Sequence, residues 1–203
     1  MNEPLALLGT SADPPTLGHQ ALLEQLLQHY PRVITWASDN PGKRHGAPLA
    51  LRARLLSALV QGLAEPRIEH VQELSSPYAI TTLARAAARW PDAELVFVVG
   101  SDLAPQIPQW RQAPELLKRC QLAVVPRVGW PLSETTATTL RQLGARFSVL
   151  PLPVPASASS ALRQQPDPAQ IPRAVWPLVR EHNLYGLGQY QPANPMPSKP
   201  TRP

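Results

Sequence analysis

The stretch Leu5-Ala6-Leu7-Leu8-Gly9-Thr10-Ser11-Ala12-Asp13-Pro14-Pro15-Thr16-Leu17-Gly18-His19 joins a strand, a loop and a helix start. Residues 5–8 form a short apolar run, the pattern of a buried strand, and the run stops at Gly9. Beyond the loop, Leu22, Leu23, Leu26, Leu27 and Tyr30 recur at helical spacing. Backbone N–H groups that open such a helix form an anion site. Gly18 permits close approach of a ligand, and His19 falls in the first helical turn. The segment also has an ordinary reading, with Asp13 capping a turn and His19 a plain helix-start residue. No G-x-G-x-x-G follows any strand and G-x-x-x-x-G-K-[ST] is absent, so dinucleotide-type oxidoreductases and P-loop enzymes lose their support.

The same alternation continues outward. Strands are predicted at residues 33–37, 67–71, 95–99, 122–125 and 147–150. Helices are predicted at residues 49–63, 79–90, 114–118 and 134–143. The run at 95–99 is wholly apolar, as a strand covered on both sides requires, and it too ends on a glycine, Gly100. Such βαβα order predicts an α/β fold: a doubly wound, mostly parallel sheet with helices on both faces and ligands at the carboxyl ends of the strands.

Composition sets the remaining bounds. A chain of 203 residues makes one domain, placed here at 1–188, and can bury a full core unaided. Pro192, Pro195, Pro197, Pro200 and Pro203 crowd the end, so residues 189–203 are expected to be a disordered proline-rich tail. The single cysteine, Cys120, excludes an internal disulfide framework, fits a reducing cytoplasm, and begins an apolar run that should bury it. Lys and Arg number 19 against 14 Asp and Glu, yet no basic stripe interleaved with aromatics occurs, so small anionic substrates fit better than nucleic acid. No segment reaches the ~20 apolar residues of a membrane span, and no leader pattern opens the chain, so a cytoplasmic protein without membrane contact is expected. The oligomeric state is open. His29, His45, His70 and His182 show no metal-ligand spacing and are given no role.

A second anion-binding pattern occurs late in the chain. Ser157-Ala158-Ser159-Ser160-Ala161-Leu162-Arg163 follows a strand and looks like a capped helix start. Serine hydroxyls, N–H groups and an arginine one turn in suit a polyphosphate; a simple N-cap with a solvent-facing arginine is the alternative.

Together these segments resemble the [TH]-x-G-H nucleotidyltransferase superfamily, through Thr16-x-Gly18-His19 and the later Ser159-Ser160-x-x-Arg163. More narrowly, the chain is similar to bacterial nicotinate-mononucleotide adenylyltransferases. The further matches are Asn40-Pro41 with Lys43, Pro77-Tyr78-Ala79-Ile80-Thr81-Thr82-Leu83, Gly100-Ser101-Asp102 ahead of Trp110, Val124-Val125-Pro126-Arg127, and Ile171-Pro172 with Asn183-Leu184-Tyr185. They keep the family's order over about residues 4–186. Departures are Ala12 for the family's phenylalanine, Thr16 for its first histidine, and Ala79 and Thr81 in the tyrosine-led motif.

The resemblance implies a Rossmann-like domain that joins ATP to nicotinate mononucleotide and releases pyrophosphate in NAD synthesis. It implies an ATP site of Gly9, Thr10, Ser11, Gly18, His19, Gly100, Asp102, Ser159, Ser160 and Arg163. His19 would contact the transferring phosphates, Thr16 would offer them a hydroxyl, and Ser159, Ser160 and Arg163 would grip the part that leaves. Asp102 would accept from ribose hydroxyls. Lys43 or Arg44 would hold the mononucleotide phosphate, or be solvated loop charges. Trp110 would stack on the pyridine ring, and Thr82 with its backbone would receive the carboxylate. Arg127 either lines the same cleft or is a surface arginine. Mg²⁺ would accompany ATP on phosphate oxygens and water, with no protein ligand assigned. Alternatives are a superfamily member acting on nicotinamide mononucleotide or phosphopantetheine, and a nucleotide-binding regulator without turnover.

Overall fold

The computed structural model describes residues 3–40, 42–153 and 159–188. Six strands form one wholly parallel sheet in the order β3-β2-β1-β4-β5-β6. They are β1 (Pro4–Thr10), β2 (Arg32–Ala37), β3 (Ile68–His70), β4 (Glu94–Gly100), β5 (Gln121–Val125) and β6 (Arg146–Val149). The helices are α1 (Leu17–Leu26), α2 (Leu49–Leu63), α3 (Ala79–Arg89), α4 (Ala113–Arg119), α5 (Glu134–Gln142), α6 (Ser159–Gln164) and α7 (Trp176–Glu181). This is the Rossmann-like fold that the alternation predicts.

Strand side chains alternate between the two faces, because successive residues of a pleated strand point opposite ways. Ala6, Leu8, Val96 and Val98 pack against α1, α2 and α7 through Leu23, Leu26, Leu55, Leu59 and Val179. Leu5, Leu7, Leu95, Phe97 and Val99 pack on the other face against Leu83, Ile107, Leu116 and Leu140. Each face needs its own layer of helices, hence two layers around one sheet. Cys120 is buried at 2% exposure, as expected, and burial pushes its thiol up to about 12, so it stays protonated.

Boundaries move where end effects outweigh periodicity. Helix α1 starts at Leu17, ahead of the apolar face that marked it, because Thr16 caps it. β3 is shorter than residues 67–71, and β6 is a mostly exposed edge strand. Leu187, next to the last described residue, is buried in the core. The expected disordered tail at 189–203, together with Pro41 and Ser157-Ala158 of the motifs above, lies outside the described residues.

β1 is flanked by β2 on one side and β4 on the other, and the chain leaves them toward opposite sheet edges. At that switch point the connecting loops diverge and open a crevice at the carboxyl ends of β1 and β4. Gly9, Thr10, Gly100, Ser101 and Asp102 all lie there.

Candidate active site

Asp13 organises the first loop. Ala12 before it is left-handed (φ +48°) and fully buried, and the Asp13-Pro14 peptide is cis. The Asp13 side chain is wholly buried and, instead of capping a local turn, ties distant segments together. Its carboxylate accepts from the Gly46 N–H at 2.6 Å, the Ala47 N–H at 3.1 Å and the Tyr185 hydroxyl at 2.8 Å. Arg163 Nη1 lies 3.4 Å from the same carboxylate and donates to the Asp13 carbonyl at 2.6 Å. His45 Nδ1, from the same loop as Gly46, is 3.6 Å away. A buried carboxylate demands this many donors because nothing else replaces its lost water. The histidine left without a role therefore borders the site.

His19 and Thr16 form the second element. The Thr16 N–H donates to His19 Nδ1 at 3.1 Å, and the Thr16 hydroxyl lies 2.9 Å from the same nitrogen. With Nδ1 accepting, the ring proton belongs on Nε2, which makes Nε2–H a donor for a ligand. Thr16, expected to offer its hydroxyl to the phosphates, is fully buried, and that hydroxyl lies against the His19 ring. Burial, with the charge of Arg127 added, lowers the His19 pKa to about 4, so the ring is neutral at pH 7. Burial also lowers His45 and His70.

These depressed values set a pH dependence of stability. Below pH 6.5 the unfolded histidines take up protons while the folded ones do not, so stability falls from about 6.5 down to about 4 and then levels for His19. Denaturant midpoints measured at pH 5 and pH 7 should show the loss. His19→Asn should shrink it by about 2 kcal/mol; an unchanged slope would place His19 in solvent.

The third element is a cluster of charge. Ser101, 2% exposed, accepts from the Arg127 N–H at 2.8 Å and donates to the Trp130 carbonyl at 2.5 Å. That hydroxyl fastens the turn after β5 to the end of β4 and brings Arg127 Nε to 3.4 Å from Asp102 Oδ1. Gly100 makes room, since a Cβ there would collide with Asp102 Oδ1 and come 3.0 Å from Arg127 Nε. Lys43 interacts electrostatically with Asp102, Arg127 and Arg163; desolvation is the main reason its ammonium is held below the usual range. Lys43, Arg127, Arg163 and His19 thus converge on one crevice, with Asp102 as counter-charge.

Other expected residues fall differently. A Cβ on Gly9 would meet the Trp36 ring at 2.8 Å, so this glycine serves packing beside the loop. Thr10 Oγ1 accepts from the Ala12 N–H at 3.4 Å, an interaction within the loop, and Ser11 offers its carbonyl to Arg52. Ser159 donates its hydroxyl to the Pro14 carbonyl at 2.8 Å, which docks α6 on the first loop, while Ser160 is exposed. Thr82, expected to receive the carboxylate, is 2% exposed, and its N–H bonds the Tyr78 carbonyl at 3.2 Å. The N–H groups of Ala79 and Ile80 open α3, where a helix leaves its first amides without intrahelical acceptors. Trp110 is half-buried, with its ring edge-on to Phe97 at 6.3 Å, so part of it belongs to the core. Arg111 stacks over the Tyr78 ring at 4.7 Å and joins the Trp110 segment to the start of α3.

Arg52 is a site residue that the sequence reading missed. It is 2% exposed and donates to the carbonyls of Ala47, Ser11 and Ser38, at 3.1, 2.7 and 3.0 Å. Its spacing from Leu49, Ala53 and Leu56 puts it on the apolar face of α2, the one signal that separates it from Arg54.

A parallel sheet whose switch point gathers an imidazole and cationic side chains suits an α/β nucleotidyltransferase. Residues 7–164 match the cytidylyltransferase-like family. A Synechocystis protein named "Probable nicotinate-nucleotide adenylyltransferase" is 36% identical over 196 residues, which cover 89% of this chain and 98% of the relative. Its namesake from Chlorobaculum tepidum is 32% identical over 191 residues, covering 89% and 97%. Among solved structures, Plasmodium falciparum nicotinic acid mononucleotide adenylyltransferase complexed with NaAD superposes with a TM-score of 0.73 at 15% identity, over 91% of this chain and 98% of that one, a likeness of fold. The chain belongs to the cytidylyltransferase-like family, in its nicotinate-nucleotide adenylyltransferase branch.

Proposed function

We propose that this protein transfers the adenylyl group of ATP to nicotinate mononucleotide, forming nicotinate adenine dinucleotide and pyrophosphate in NAD synthesis. The convergence of Lys43, Arg127, Arg163 and His19 on the crevice at β1 and β4 carries this reading. A 5′-phosphate oxygen of the mononucleotide attacks the α-phosphorus of ATP. The bond from that phosphorus to the bridging oxygen breaks, and pyrophosphate leaves with the electron pair. The nucleophile is already an oxyanion, so no activated side chain is needed; catalysis consists of alignment and charge stabilisation. His19 donates through Nε2–H to the transferring phosphate. Arg163, with the start of α6, holds the β and γ phosphates. Lys43 and Arg127 take the mononucleotide phosphate, and Asp102 receives ribose hydroxyls.

Mg²⁺ would neutralise the triphosphate when bound. Of the site's carboxylates, Asp102 already faces Arg127 and Asp13 is buried among its own donors, and this fits an ion carried on phosphate oxygens and water. The cytoplasm is the compartment this reaction suits; among the described residues no helix is long and apolar enough to cross a membrane.

The decisive assay offers purified protein MgATP and each candidate mononucleotide, and measures both pyrophosphate and dinucleotide. Nicotinate mononucleotide should be used at least about tenfold more efficiently than its amide, because N–H groups arranged for a carboxylate lose a charge-assisted partner when the amide binds. Equal or reversed kcat/KM would remove the substrate assignment and leave the reaction class standing.

A further inference from the structure

Tyr185 lies in the last described turn, Leu184–Gly186, remote in sequence from the phosphate-binding loops. Its backbone is left-handed (φ +57°, ψ 23°), and Asn183 is left-handed as well (φ +45°). Side-chain-bearing residues occupy this region at a cost in free energy, so contacts elsewhere must hold them there. Two such contacts involve the Tyr185 side chain. Its ring lies against Gly46, where a Cβ would come 3.4 Å from Tyr185 Cε1. Its hydroxyl donates to Asp13 Oδ1 at 2.8 Å, and burial together with the Asp13 charge keeps that phenol protonated.

The consequence is carried by the other half of the carboxylate. Asp13 Oδ2 accepts from the Gly46 N–H and faces Arg163 Nη1 at 3.4 Å. The two carboxylate oxygens turn together about one bond, so Tyr185, which shares Oδ1 with the Ala47 N–H at 3.1 Å and makes the shorter bond to it, helps to fix Oδ2 as well. Arg163 spends Nη1 on Asp13 and keeps the donors of Nη2 and Nε for a ligand.

We propose that Tyr185 is a positioning residue for the triphosphate: through Asp13, its hydroxyl holds the Arg163 guanidinium at the angle at which its remaining donors meet phosphate oxygens. The C-terminal turn is thereby part of the ATP site, although it contributes no atom to the ligand. Preorganisation is the physical gain, since an arginine fixed in advance loses less freedom when it binds. The proposal rests on the placement of Arg163 at the triphosphate given above.

Tyr185→Phe in the full chain removes the hydroxyl and keeps the ring, so the packing on Gly46 survives. The affinity for MgATP, measured by calorimetry, should weaken about tenfold. The mononucleotide KM should stay within about twofold and Tm within a few degrees, because Arg52 still holds the loop at Ala47. In an Arg163→Ala background the same change should weaken MgATP less than twofold, since its route to the ligand is gone. Equal losses in both backgrounds would show a merely structural hydroxyl, and no loss in the natural background would dismiss the coupling; either overturns the proposal. Because binding is read directly, a chain that binds MgATP and forms no dinucleotide would fail the functional reading alone, with the coupling still decided by the two backgrounds.

Discussion

His19→Ala should lower kcat by roughly 10²–10³, the usual cost of one preorganised donor aimed at developing charge, with a smaller change in the mononucleotide KM. The geometry gives the reason. Nδ1 is committed to the Thr16 N–H at 3.1 Å, so the ring proton sits on Nε2, a donor whose orientation is fixed before ATP arrives. The ring is neutral in the free protein because burial and Arg127 disfavour its charge, so little of its donor strength depends on pH near 7. Thr16→Val should cost less than about tenfold, because the backbone N–H that sets the tautomer remains when the hydroxyl goes. Steady-state kinetics on both variants provide the check. An unchanged kcat in His19→Ala would place the chemistry away from this crevice and favour a nucleotide-binding regulator.

Arg52→Met should destabilise the fold by about 3–5 kcal/mol, the range for breaking a buried charged network. Methionine fills most of the volume, so packing is not the issue. The loss comes from three carbonyls, those of Ser11, Ser38 and Ala47, which are left without their donor in a buried place. Asp13 also loses a neighbouring positive charge. Denaturant unfolding should read the loss directly, and Tm should drop by about 10 °C for a chain of this size. Arg54→Met, one helical position pair away on the exposed side, should change stability by less than about 1 kcal/mol, because its pairing with Glu181 is exposed to solvent. Similar effects of the two would mean that Arg52 is not the fastener of these loops.

The two arginines mark where reading a sequence stops. Both sit in Leu49–Leu63, two residues apart, and the helix is legible from its apolar spacing alone. What Arg52 does is not legible, because its partners are carbonyls of loops whose paths depend on the whole sheet. Asp13 is a similar case: locally it looks like a turn cap, yet its donors come from residues 46, 47, 163 and 185. Thr82 is a motif residue whose burial and N–H bond to Tyr78 only the folded chain reveals.

Local patterns by themselves determined the α/β order, the parallel sheet and the helix start at Gly18-His19, because periodicity, capping and strand-end glycines act over a few neighbouring residues. The later Ser159–Arg163 segment was legible for the same reason. Only the tertiary structure decided which groups face the crevice and in what state. It set the Thr16 hydroxyl against His19, brought Arg127 beside Asp102 through Ser101, and joined Tyr185 to Arg163 across Asp13. Such contacts close loops of up to 172 residues, and their geometry and burial follow from the packing of the whole chain, which no local window contains.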